Sequence, residues 1–257
     1  MRDYEVINEN LRHALAAFSY VREAGHLAQP PGASLVYAGV PFSLFNTALL
    51  TAAGNLEELL NRAEEYFRKR SAPWSVWFCD DLMSAEHRRH SRVTLATRGM
   101  KMMMDAPGMI AGDLTPPRAG LPPLVCVPVG DEPTRVDFSR VMSEAFHVPE
   151  HMAQEVYGGE RLWKGTIRGW VGYDGAEAVS TTATVIGGGA IGVYAVATVP
   201  GRQRKGYGEA LMRHAIGQGQ IESGLTCSVL QSSAIGYPLY VRMGYRHVTR
   251  FCVYAKG

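Results

Sequence analysis

Cysteine is scarce in this chain, and none of it is paired by spacing. Cys79, Cys126, Cys227 and Cys252 are the only four in 257 residues, with no C-x-x-C pair and no histidine at zinc-ligand spacing. That pattern excludes a disulfide-built scaffold and a structural zinc site, and it suits reduced thiols in a cytoplasmic protein. An excess of charge of one sign is also lacking. Lys and Arg total 26 against 24 Asp and Glu, a formal net charge of +2, which argues against nucleic acid as a main partner. No apolar run is long enough to span a membrane, and the polar, charged stretch Met1 to Gln29 is unlike a secretory leader. There is no H-E-x-x-H motif, no Ser-His-Asp arrangement can be argued from order, and no metal is expected. What is present is 46% hydrophobic and 19% charged residues, enough for one large globular domain or two small ones.

The most informative stretch is Val193 to Ala215, VYAVATVPGRQRKGYGEALMRHA. Val193 to Val199 is apolar and β-prone and reads as a strand. Pro200 ends it, since proline gives no N–H to a ladder. Gly201 to Gly208 is basic and glycine-rich. From Glu209 onward, Leu211, Met212, Ala215 and Ile216 share one helical face. A glycine-rich loop feeding a helix start aims several free N–H groups at one spot, a site for anions and above all phosphates. Gly206 and Gly208 let a ligand approach without a Cβ in the way. The loop is not a Walker A motif, because Lys205 precedes its glycine, and Leu211 stands where a dinucleotide fingerprint needs a third glycine.

Gln203-Arg204-Lys205-Gly206-Tyr207-Gly208 resembles the Q/R-x-x-G-x-G/A loop of the GNAT superfamily of acyl-CoA-dependent N-acyltransferases. Arg204 departs from the pattern, standing where the family often has a further glycine. A second segment resembles a later motif of the family. Leu225 to Leu230 alternates like a short strand, and Gln231 to Tyr245 looks like a short helix that carries a tyrosine and ends at Gly244-Tyr245. The resemblance covers the C-terminal half, residues 121–257. It implies an α/β (α+β) fold with a mixed, mostly antiparallel sheet flanked by helices. The residues read in the same order. Leu124 to Val129 is a strand, Thr134 caps a helix, residues 150–157 form a second short helix, and Thr166 to Tyr173, Ala176 to Val185 and Ala190 to Val199 are strands. Asp174-Gly175 and Gly187-Gly188-Gly189 mark the hairpin turns.

Four prolines in Thr115 to Pro123, TPPRAGLPP, mark a linker. Residues 1–120 ahead of it read as an α/β region. Helices are expected over Tyr4 to Ala24, after the capping pair Asn55 and Glu58, and over Ser84 to Arg98; strands are expected at Ala33 to Val40, Phe42 to Leu50, Trp74 to Cys79 and Met109 to Leu114. This order echoes the second half. Gly39-Val40-Pro41 followed by Asn46 resembles the degenerate first half of tandem GNAT proteins, with an unrelated α/β extension as the alternative. No phosphate loop of the same pattern precedes residue 193, so a first GNAT half would lack its cofactor site. The basic cluster His87 to Arg92 reads as a solvated helix face, with a nucleic-acid site as the alternative, and the methionines at 100, 102, 103, 104 and 109 as core, with a binding groove as the alternative.

The resemblance implies transfer of the acetyl group of acetyl-CoA to an amine of a small molecule or a protein, by direct attack in a ternary complex. It implies cofactor contacts at Val196, Ala197, Thr198, Gln203, Arg204, Lys205, Gly206, Tyr207, Gly208 and Glu209. Backbone groups of Val196 and Thr198 would bind pantetheine, and N–H groups of the loop would bind the diphosphate. Simple surface charge is the alternative for Arg204 and Lys205. Tyr240 stands where many members carry the acid that protonates the departing thiolate, with packing as its alternative role. Glu144, Glu160, Asp174 and Glu177 are all available as a general base, and none is singled out. The acceptor is not legible, and a homodimer is left open. Two other functions remain: a non-catalytic acyl-CoA-binding module, and an acyltransferase using another acyl chain or a hydroxyl acceptor.

Overall fold

The computed structural model describes residues 1–256. In chain order the elements are α1 (Asp3–Ala17), β1 (His26–Ala28), β2 (Ala33–Tyr37), β3 (Thr47–Leu50), α2 (Leu56–Arg68), β4 (Ser75–Cys79), α3 (Ala85–Thr97) and β5 (Met100–Ala111). They continue as β6 (Val125–Pro128), α4 (Glu132–Phe146), α5 (Glu150–Tyr157), α6 (Glu160–Trp163), β7 (Ile167–Asp174), β8 (Glu177–Gly187) and β9 (Ala190–Thr198). The chain closes with α7 (Tyr207–Ser223), β10 (Ser228–Gln231), α8 (Tyr237–Arg242) and β11 (Arg246–Lys256).

All the strands join one eleven-stranded sheet in the order β1-β2-β3-β4-β11-β5-β10-β9-β8-β7-β6. The pairs β3–β4 and β9–β10 are parallel, and the other neighbours are antiparallel. This is the mixed, mostly antiparallel sheet flanked by helices that the sequence led us to expect. The run β1-β2-β3-α2-β4-α3-β5 repeats as β7-β8-β9-α7-β10-α8-β11. The last strand of each run is exchanged. β5 lies against β10, β11 lies against β4, and β5 and β11 pair with each other at the centre.

The cores are mixed accordingly. Phe251, Cys252 and Val253 of β11 pack with Leu49, Leu60, Phe67 and Phe78 of the first run. Ala14 and Ala17 of α1 pack with Phe138 of α4, Tyr157 of α5 and Trp163 of α6. At the central pair, an ideal Cβ on Gly108 would lie 2.7 Å from Thr249 Cγ2 and 2.8 Å from Phe251 Cε2. Only glycine lets those strands and side chains approach so closely.

Several local expectations are corrected. Asp131, not Thr134, caps α4: its Oδ1 accepts from the Thr134 N–H at 3.0 Å. Of Phe42 to Leu50 only β3 is strand. The turn before it is held by buried Asn46, whose Oδ1 accepts from Ala38 N–H and whose Nδ2 donates to the Val40 and Pro73 carbonyls. The strand expected from Met109 begins at Met100. Within it Met100 and Met109 are buried, but Met102 and Met103 are exposed, at a register shift against β11 that leaves Met103 without a partner in the ladder. β10 starts at Ser228, later than Leu225.

Buried Asn10 ties α1 to the second run. Its Nδ2 lies 3.1, 2.9 and 3.0 Å from the carbonyls of Val185, Gly187 and Ala190, around the β8–β9 turn. Its Oδ1 accepts from Tyr194 Oη at 2.6 Å. An alanine here would strand buried carbonyls and a phenol without partners. We expect Asn10→Ala to lower unfolding free energy by about 2–3 kcal/mol, read as a lower urea midpoint at unchanged m-value.

Candidate active site

β9 and β10 pair only at Ile191–Ser228 and Gly192–Val229. Beyond Gly192, β9 follows β8 and parts from β10. A register shift between Thr181 and Ala183 puts an extra residue into β9, and Ala195 takes a left-handed φ of 49°. Such a bulge bends a strand and sharpens its twist. Two buried hydroxyls fix it: Thr181 Oγ1 donates to the Ala195 carbonyl at 2.9 Å, and Ser180 Oγ to the Ala197 carbonyl at 2.7 Å.

Past the bulge, Ala197 pairs with Thr181, and the Val199 N–H donates to the Val179 carbonyl at 3.0 Å. Antiparallel ladders alternate, so the backbone groups of Val196 and Thr198 turn to the opposite edge. No strand occupies that edge. The Thr198 carbonyl there accepts from Gln203 Nε2 at 3.2 Å. Thus Val196 and Thr198 face the gap, whereas Ala197 spends its backbone on β8 and is buried.

The glycine-rich loop closes the same end. Gly201, Arg204 and Gly206 have φ of 80°, 63° and 104°. Arg204 therefore stands in a left-handed conformation that favours glycine, the residue the motif often has there. Gly206 caps α7 without a side-chain acceptor, leaving the first-turn amides of the helix, including those of Tyr207, Gly208 and Glu209, available to a ligand. An ideal Cβ on Gly208 would lie 3.2 Å from Thr198 Oγ1, so the helix start sits directly against the end of β9. Arg204 and Lys205 are exposed.

A set of polar contacts unforeseen from sequence holds this loop. Arg202 Nη1 donates to Asp174 at 2.9 Å and Nη2 to Glu177 at 2.5 Å, while Tyr207 Oη donates to Asp174 at 2.6 Å. The hydrogen bond to Asp174 raises the Tyr207 pKa. The β7–β8 turn thereby braces the loop. Glu209 is buried at the first turn of α7 and receives Arg213 Nε at 3.0 Å.

None of the four available carboxylates stands free. Asp174 and Glu177 hold Arg202, Glu144 holds Arg140 at 2.7 Å, and Glu160 holds Lys164 at 2.9 Å. Tyr240, on α8, is buried in a cluster with Met109, Val193, Leu230 and Met243, against which Val196 also packs. Its ring lies 6.0 Å from that of Tyr245, centroid to centroid. Burial pushes the Tyr240 phenol up to about 12, so it keeps its proton throughout the neutral range.

The first run has no equivalent loop. α2 is capped by Asn55, whose side chain accepts from the Glu57 N–H, and its first turn carries Glu57 and Glu58. That helix start is satisfied by its own cap and carries two exposed acidic residues, whereas α7 begins at a glycine with no side-chain cap. Among the described residues no cluster of His, Cys, Asp or Glu has a metal-binding arrangement, and no helix is long and apolar enough to cross a membrane.

The site is thus a gap between parting parallel strands, closed by a glycine-rich turn at a helix start, in an α/β protein. Residues 165–247 match the family described as "Acetyltransferase (GNAT) domain". No curated protein matches the chain. Among solved structures, a GCN5-related N-acetyltransferase from Kribbella flavida is 16% identical, with a TM-score of 0.68 over 96% of this chain and 95% of the other. A putative GNAT-family acetyltransferase from Novosphingobium aromaticivorans is 12% identical, with a TM-score of 0.58 over 98% and 99%. A tandem GNAT protein from the clavulanic acid biosynthesis pathway is 11% identical, with a TM-score of 0.54 over 96% and 95%. These likenesses extend the shared fold across both halves.

A branched side chain at position 208 would press into Thr198 and crowd the amides of the first turn. Gly208→Val should weaken CoA binding by about a hundredfold, with the equivalent of two charge-assisted hydrogen bonds lost. Calorimetric titration of CoA, with thermal unfolding as a control for fold, checks this.

Proposed function

We propose that this protein is an acetyl-CoA-dependent N-acetyltransferase acting on an amine of a small molecule or protein, with one active site, in residues 121–257. The observation that carries the reading is the parting of β9 and β10 beside the uncapped start of α7. One cleft thereby offers strand-like backbone partners to an amide-bearing chain and free amides to a diphosphate.

Acetyl-CoA supplies an activated thioester carbonyl. In this reading the backbone groups of Val196 and Thr198 hold pantetheine as a further strand would. The amides from Arg204 to Gly208, with the dipole of α7, hold the diphosphate, and Arg204 and Lys205 add positive charge. Gln203 secures the Thr198 carbonyl and so the entry to the loop, while Glu209 keeps Arg213 in place beneath it. An N–H of β9 near the bulge stabilises the oxyanion as a neutral amine attacks. Tyr240 gives its proton to the departing thiolate. Since all four candidate carboxylates sit in ion pairs, proton removal from the amine falls to ordered water. The self-capped, acidic start of α2 favours residues 1–120 as a half that supports the sheet and holds no cofactor.

Thiol release from acetyl-CoA, measured across a panel of amines, tests the reading. Turnover with an amine supports it. CoA binding without turnover, or turnover only with hydroxyl acceptors or longer acyl chains, would replace it.

Two further outcomes follow from the chemistry. Tyr240→Phe should lower kcat by roughly a hundredfold, with CoA affinity nearly unchanged. Because the Tyr240 pKa is raised to about 12, the acid stays protonated, and the wild-type rate should show no alkaline fall from this group up to about pH 10. Steady-state rates across pH, beside a direct CoA titration of the variant, read both. Saturation binding should give one CoA per chain, and two equivalent sites would assign a working loop to the first half as well.

A further inference from the structure

The proline-rich segment between the halves crosses the start of α7. Thr115 N–H donates to the Met243 carbonyl at 3.0 Å, and Arg213 Nη1 donates to the Thr115 carbonyl at 2.7 Å. On its other side, Leu121 Cδ2 and Pro122 Cδ lie 3.0 and 3.1 Å from where a Cβ on Gly206 would stand. The segment is thus fastened on both flanks of Arg118, and its prolines fix φ along the way. Arg118 Nη2 lies 2.4 Å from that same Cβ position. Its guanidinium rests against the backbone of the phosphate loop, in space that only a glycine leaves open.

The charges there are unbalanced. Arg118 Nε is 3.8 Å from Glu209 Oε2, but Glu209 is already held by Arg213 at 3.0 Å. Arg202 is committed to Asp174 and Glu177. Arg118 and the positive end of α7 therefore meet at Gly206, with exposed Arg204 and Lys205 next to it in the chain and Glu209, shared with Arg213, as the carboxylate nearby. A cation at a helix start is repelled by the dipole, and an anion between them relieves both. A guanidinium also offers a planar fork suited to phosphate.

We infer that Arg118, carried by the segment joining the halves, is a ligand of the cofactor's diphosphate and completes the phosphate site from outside the GNAT domain's own loop. This rests on the acetyl-CoA reading above. The segment then acts as the fourth wall of the phosphate site, and the half that binds no cofactor of its own takes part in binding through its connection.

The test is the affinity of the full chain and of Arg118→Ala for CoA, 3′-dephospho-CoA and pantetheine, with thermal unfolding of both proteins. Arg118→Ala should weaken CoA and 3′-dephospho-CoA alike by about tenfold, the scale of one charge-assisted hydrogen bond, and leave pantetheine unchanged. Arg118→Lys, which keeps charge but not the fork, should fall between. Equal CoA affinity in wild type and Arg118→Ala would overturn the inference and leave the acetyl-CoA reading standing. A loss confined to CoA would move Arg118 to the 3′-phosphate, and tighter binding by Arg118→Ala would make the segment an obstruction; either overturns it. A loss shared by pantetheine would show a general disturbance of the cleft and also overturn it. A wild-type chain that binds no CoA would remove the acetyl-CoA reading itself, and the inference with it.

Discussion

The pairing of β5 with β11 at the middle of the sheet is the constraint from which the rest follows. Each strand closes its own run, yet each finds its outer partner in the other: β10 for β5 and β4 for β11. Backbone groups buried in a sheet must be paired. Removing either strand would open a long edge in both runs at once. The mixed clusters of buried residues express the same dependence in packing, since Phe251 belongs with Phe78 and Ala17 belongs with Phe138. A chain with two internally similar runs is therefore one cooperative structure.

Within that frame the two runs differ where chemistry is concerned. β3 has four residues and α2 begins at a self-satisfied cap, whereas β9 has nine and α7 begins at a glycine with no cap. The longer strand overshoots its parallel partner, and the bulge at Ala195 turns it away. A gap lined by unpaired backbone results, an unfavourable feature for a sheet unless something fills it. Thr181 and Ser180 hold the carbonyls of Ala195 and Ala197 on the β8 side, and in the gap Gln203 satisfies the Thr198 carbonyl. The first run avoids this cost by ending β3 at Leu50.

The strands and helices of the second half and the glycine-rich loop were legible because each rests on local pattern: apolar, β-prone runs and turn signals in β8 and β9, the apolar face of α7, and glycines where φ turns positive. What was not legible came from distant contacts. Thr134 looks like a cap until Asp131 is seen to accept its N–H. The methionines of β5 look like core until an irregularity in its pairing with β11 leaves Met102 and Met103 exposed. Arg202, Asp174 and Glu177 come together across a hairpin and a loop, and nothing in their spacing signals it. Asn10 lies among polar helix residues and meets its partners in β8 and β9 only through the fold. Arg118 sits in what reads as a bare proline linker, and its place against Gly206 depends on anchors in α7 and at the end of α8. Tyr240 could be placed on a short helix before Tyr245 from sequence, but its burial and firmly held proton could not.

The exchanged strands also govern the order in which the chain can acquire structure. Cys79 of β4 touches Thr249 of β11 across a separation of 170 residues. During synthesis β4 is made long before β11, so its outer edge has no partner until nearly the whole second run has been translated. β5 faces the same wait for β10 and β11. Pairing strands so far apart in the chain is slow, and unpaired apolar edges are sites of misassembly. The nascent first run must persist as an incomplete sheet, with Phe78 and its neighbours not yet covered by Phe251 and Val253. The same interlock that makes the finished molecule one body makes its first half dependent on what the ribosome has still to deliver.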